Sequence, residues 1–156
     1  MAHDTRPARR PEPLSEPRSR PDTHDPAYQA WMILRAAFTI APIVFGLDKF
    51  FGVLVNWDKY LSPTFASLSP MSVHTTMYVV GIIEIIAGII VALHPRLGGY
   101  VVTVWLAGII LNLLVLSGYY DVALRDFGLL LAAVALQRLS VRFDMHPLAW
   151  PVAARH

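Results

Sequence analysis

The 156-residue chain has no cysteine, which excludes disulfides, thiolate metal ligands, iron–sulfur ligation and Cys-x-x-Cys redox chemistry. Charge is scarce too: 15% of residues are Asp, Glu, Lys or Arg, where a soluble domain carries about 25%. The net charge of +2 is too small to argue for nucleic acid, and no basic patch is interleaved with aromatics. Histidine is missing from every long apolar run. His3, His24, His74, His94, His146 and His156 all fall outside them, so two axial haem ligands at matched depth have no source. No His/Asp/Glu group has metal-ligand spacing. Glycine-rich phosphate loops and nucleophile motifs are also lacking. These absences leave no covalent or His/Cys-ligated cofactor, no metal, and nothing that specifies an independent catalytic activity.

What is present is grease, unevenly distributed. Hydrophobic residues make up 55% of the chain, while residues 1–27 hold six of the twelve prolines, five Arg and five acids. Such a segment buries too little apolar area to offset its ordering entropy, and it reads as a disordered Pro/Arg-rich cytoplasmic tail. A twin-arginine reading of Arg9-Arg10 is not supported, because the apolar run starts some twenty residues later and no small-residue cleavage site follows it.

Four apolar segments follow, at about 31–54, 76–93, 97–116 and 122–139. Each has the ~20 residues that a helix needs to cross the hydrocarbon at ~1.5 Å per residue. The pattern predicts an all-α integral membrane four-helix bundle over residues 28–142. His94-Pro95-Arg96 and Ser117-Gly118 form short turns, so the second, third and fourth helices are expected to be antiparallel neighbours. The longer 55–75 connection mixes Trp57, Tyr60, Phe65 and Leu68 with Pro63 and Pro70, as suits a loop on the membrane surface with room for a short interfacial helix. The excess of arginine on the side of the termini predicts cytoplasmic N and C termini in a multi-pass cell-membrane protein. Residues 143–156 read as an interfacial cytoplasmic tail.

One carboxylate interrupts the run V79-V-G-I-I-E-I-I-A-G-I-I90. Gly81, Glu84, Gly88 and Ala92 lie on one helical stripe, and small residues mark close helix approach in lipid. Similar polar-and-small stripes occur at Arg35, Thr39, Pro42, Gly46 and Lys49; at Trp105, Gly108 and Asn112; and at Asp121, Arg125, Gly128, Ala132 and Ala135. All four faces are expected to line one interior. Arg35, near the cytoplasmic end, can snorkel to the headgroups. Glu84 lies ~12 Å and Arg125 ~9 Å below the outer turns by helix rise. Glu84, Arg125, Asn112, Lys49, Asp48 and Asp126 are therefore the candidate buried polar cluster, with Glu84–Arg125 as its principal pair.

The early Arg35, the ending G46-L-D-K-F-F51, the central Glu84 with its glycines and the opening R125-D-F-G-L-L-L-A-A resemble the DoxX-like family of small four-helix membrane proteins. The likeness covers roughly residues 30–142. It implies a membrane protein associated with respiratory or redox complexes, a quinone as cofactor, and other membrane or periplasmic redox subunits as partners alongside the lipid bilayer. The residues themselves leave two alternatives: a proton-coupled small-molecule transporter, or a structural scaffold whose ion pair sets helix register.

Overall fold

The computed structural model describes residues 22–144. Helices dominate them: α1 (Pro26–Phe51), α2 (Pro63–Leu68), α3 (Val73–Leu93), α4 (Pro95–Leu116) and α5 (Tyr120–Phe143), with a 3-10 turn at Trp57–Tyr60. No strand occurs among the described residues. Most of the expected N-terminal tail and all but residues 143 and 144 of the C-terminal one lie outside them.

The boundaries follow from capping chemistry. Asp25 caps α1 by accepting the Ala27 N–H, with Pro26 in the first turn, where its missing N–H costs nothing. The helix therefore starts five residues before the apolar run. At its other end Gly52 takes a left-handed conformation (φ 63°), the usual way to close a helix. Ser72 caps α3 through the Thr75 N–H. Pro95 both ends α3 and opens α4, with His94 alone between them. Ser117 and Gly118, both at positive φ, turn the chain into α5.

Three helices, α1, α3 and α4, are long and apolar enough to cross a membrane. The fourth expected span is also a long helix, α5, but Asp121, Arg125, Asp126, Arg138 and Arg142 make it more polar. The four long helices touch in a ring. The major seams are α1 on α3 and α4 on α5; α3 on α4 and α1 on α5 are lesser ones. Along the α1–α3 seam residue numbers run in opposite directions: Arg35 meets Ala92, Ile43 meets Gly88, and Gly46 meets Gly81. The last contact is backbone on backbone. A Cβ on Gly46 would lie 2.6 Å from the Gly81 carbonyl oxygen, and one on Gly81 2.7 Å from that of Gly46.

The core is apolar, as in a water-soluble protein, but so is most of the outside. Trp31, Phe38, Val91, Val102, Leu136 and Phe143 are buried near one end of the helices. Ile33, Ile40, Ile82, Ile86, Val104 and Leu124 stand exposed along the outside. Polar groups buried with the core are paired. Trp31 donates its indole N–H to Ser140 Oγ (2.9 Å), and that hydroxyl donates on to the Leu136 carbonyl (2.7 Å). Arg35, partly exposed, donates from its guanidinium to the Ala92 carbonyl. That carbonyl lies in the last turn of α3, where helical acceptors run out of partners.

Candidate functional site

The buried charges gather at the opposite end of the helices from the aromatic core. Lys49 stands in the last turn of α1 and Glu84 at the middle of α3. The glycine contact at 46 and 81 brings these helices together one turn away, close enough for Lys49 Nζ to donate to Glu84 Oε2 at 2.5 Å. The two side chains are 3% and 11% exposed. Breaking such a pair is costly, because either charge left alone has lost its water without gaining a partner.

Trp57 covers the lysine. Its ring centroid lies 3.8 Å from Lys49 Nζ, a cation–π contact, and its indole N–H donates to Asp48 Oδ2 at 2.7 Å. Asp48 also accepts from the backbone N–H groups of Val53 and Leu54. It thus folds the chain leaving α1 back over the helix end, and consecutive residues 48 and 49 hold the two polar aspects of one indole. Asp48 is buried as expected, but it serves the loop and not Glu84.

The remaining helices supply weaker contacts. Trp105 of α4 turns its indole N–H toward the Glu84 carboxylate; the nitrogen is buried and closes no well-formed hydrogen bond. Asp126 of α5 is half-buried and near enough for its charge to act on Glu84. Each long helix therefore contributes one polar group to this region: an ammonium, two carboxylates and an indole.

Asn112 performs a separate task. Its amide donates to the Tyr60 carbonyl and its side-chain oxygen accepts the Ser62 N–H. This pins the 3-10 turn and the start of α2 to α4, with Tyr60 against Tyr119. Asn112 belongs to the polar end of the molecule but not to the ion pair.

Arg125 departs furthest from expectation. It was the anticipated partner of Glu84, yet its side chain is 73% exposed and bonds Asp121 one turn earlier on its own helix at 3.4 Å. The stripe through Asp121, Arg125, Gly128 and Ala135 faces outward. The inward face of α5 runs instead through Ala123, Ala133, Leu136 and Ser140. Gly108 on α4 is likewise open, with nothing near its missing Cβ, and the buried stripe there passes through Gly98, Val102, Leu106 and Leu113. One residue on a helix turns the side chain by ~100°, and Asp126, next to Arg125, is the charge that turns inward.

Trp57 is the group that sequence reasoning missed. Its signal was an aromatic residue just beyond a helix ending in Asp48-Lys49, a cation in need of a face. Among the described residues no three His, Asp or Glu side chains are grouped to hold a metal ion. A shallow apolar groove of about 390 Å³ lies between α3 and α4, lined by Ile83, Ala87, Tyr100, Val101, Val104 and Trp105. No protein-family profile, curated protein or solved structure matches this chain.

Proposed function

We propose that the chain is a multi-pass membrane protein whose four long helices form an antiparallel bundle with cytoplasmic termini, and that it acts as a non-catalytic accessory subunit of a membrane redox complex. The observation that carries the membrane reading is the apolar exterior. Large aliphatic side chains cover the outside of α1, α3 and α4, while Lys49 and Glu84 neutralise each other within. Intramembrane charges face the interior and pair in this way because lipid gives them nothing. Opposed numbering along α1–α3 and the one-residue break before α4 support the antiparallel arrangement.

The accessory role is favoured by how completely the ion pair is closed. Lys49 is held by Glu84 below and Trp57 above, an arrangement suited to fixing helix register rather than to cycling protons. The link to redox complexes comes from the DoxX-like residues at 46–51, 84 and 125–133. The apolar α3–α4 groove is where a quinone ring would lie. Trp105 and the Tyr100 ring would flank it, while the Tyr100 hydroxyl is turned to α5, where it accepts from Gln137 Nε2 at 2.9 Å. When bound, a quinone would supply two-electron, two-proton redox chemistry; the chain's own part is to hold the ring and exclude water.

Purification of the full chain in mild detergent, followed by mass spectrometry of co-purifying proteins and of extracted quinone, tests the reading. Recovery of redox subunits, or of quinone that is lost when Val104→Trp fills the groove, supports it. A ligand-free chain without such subunits overturns it. Asp126 favours a second reading, proton-coupled movement of a small molecule. It is a half-buried carboxylate beside Glu84 with no hydrogen bond among the described residues. Proton flux into liposomes that Asp126→Asn abolishes would decide for transport.

A further inference from the structure

Two cations at the aromatic end of the helices have nothing to hold. Arg35 donates to the Ala92 carbonyl and Arg142 pairs with Asp25. Arg96, in the first turn of α4, and Arg138, near the end of α5, have no hydrogen-bond or ion-pair partner among the described residues. α4 itself carries no Asp or Glu, and α5 has none from Phe127 to Phe143. The two cations are also neighbours. Gly99 packs on Gln137, whose Cβ lies 2.8 Å from where a Cβ on the glycine would be. Arg96 is one turn before Gly99 and Arg138 directly follows Gln137, so in antiparallel helices they come within ~3 Å of the same level. At ~100° per residue both turn, with Tyr100, to the same side of the α4–α5 seam. That side is the outside: Tyr100 and Arg138 are exposed and Arg96 is partly so. The Tyr100 hydroxyl spans the seam, accepting from Gln137 Nε2 at 2.9 Å, which leaves its own proton to donate.

We propose that Arg96, Tyr100 and Arg138 bind the phosphate of an anionic phospholipid on the outer side of the α4–α5 seam. The inference rests on the membrane reading above. Depth suits a headgroup: Arg96 and Leu116 are twenty residues apart, ~30 Å of helix, which is the thickness of the hydrocarbon. Arg96 therefore stands where acyl chains end and phosphates begin. Further into the hydrocarbon the same side carries Val134, one turn from Arg138, and Val104 and Leu131, two turns in, all exposed. A soluble anion would leave these side chains bare, whereas the acyl chains below a bound phosphate cover them. Two guanidinium forks match phosphate oxygens, and the tyrosine hydroxyl adds a donor between them. A zwitterionic lipid brings its own cation beside the phosphate, so an anionic one gains more from this pair. Basic pockets between membrane helices hold headgroups in this way.

The full chain in nanodiscs of mixed phosphatidylglycerol and phosphatidylcholine, released for native mass spectrometry, reports which lipid stays bound. Phosphatidylglycerol is expected to be retained over phosphatidylcholine. Arg96→Gln and Arg138→Gln should each weaken that retention about fivefold, the effect of one arginine at an anionic surface. Tyr100→Phe changes no charge and should weaken it about threefold, as one lost hydrogen bond does. Lys59→Gln removes a cation at the other end of the helices and should leave it unchanged. Equal retention of the two lipids, or an equal loss from Lys59→Gln, would overturn the site and leave the membrane reading standing. Displacement of the lipid by millimolar inorganic phosphate would overturn it too, since the ligand would then be a free anion. A chain that carbonate strips from native membranes would overturn the membrane reading and the lipid site together.

Discussion

The two ends of the helical body solve the same packing problem with different materials. Near the start of α1, Trp31, Tyr28 and Phe143 pack tilted or edge-on at centroid distances of 5.5–6.0 Å, and a single hydrogen bond to Ser140 orients the indole. Near the end of α1 the contacts are ionic and amide: Lys49 on Glu84, Asp48 on the following loop, Asn112 on Tyr60 and Ser62. The aromatic end gains from shape and tolerates small shifts. The polar end depends on partners being present, because an unpaired group there costs more than the pair contributes. Stability is therefore robust at one end and conditional at the other, and the conditional end is the one that holds the loop.

Substitutions can separate these two modes, beginning with the largest effect. Glu84→Leu leaves the Lys49 ammonium buried alone and should destabilise the fold by ~3–5 kcal/mol, measured by reversible unfolding in micelles. Lys49→Met combined with Glu84→Leu should recover most of that loss, since matched apolar replacements of a buried pair are often neutral. Gly46→Val forces a side chain into the Gly81 carbonyl and should cost at least ~1–3 kcal/mol by overpacking, seen in the same unfolding curves. Asn112→Leu strands the Ser62 N–H and Tyr60 carbonyl at ~1–3 kcal/mol; faster hydrogen exchange at Ser62, with the α1–α3 seam unchanged, is the readout. At the aromatic end Ser140→Ala removes the acceptor of the Trp31 N–H and should cost only ~0.6–1.7 kcal/mol, as interhelical hydrogen bonds in membranes do. A larger loss from Ser140→Ala than from Asn112→Leu would reverse the comparison.

Much of this arrangement can be read along the chain, and the misreadings have a common origin. Apolar length located the four long helices, and Pro95 with Gly118 located their breaks, because those signals are local. Gly81, Glu84 and Gly88 did mark the buried face of α3, where glycines and a carboxylate agree. On α5 the same rule selected Gly128 and Arg125 and faced the wrong way. A small residue permits close approach but does not require it, and Gly128 has nothing within 4 Å of its Cβ position. The choice of Lys49 over Arg125 as partner of Glu84 was also hidden. Both cations lie at similar depth by helix rise, and only the rotation of α5 about its axis, fixed by Ala133 and Leu136 in the core, turns Arg125 away. Trp57 and its contact with Lys49 arise from how Asp48 folds the loop, a tertiary event that periodicity does not encode.

The account rests on Lys49 and Glu84 acting as one buried unit, and a double-mutant cycle measures that unit directly. Lys49→Met, Glu84→Gln and the combination, compared by reversible unfolding of the full chain in micelles, should show the double variant clearly more stable than the sum of the single losses predicts, while Arg125→Met combined with Glu84→Gln should be additive within ~0.5 kcal/mol. Additive losses for Lys49 and Glu84, or coupling of Glu84 to Arg125 in their place, would contradict it.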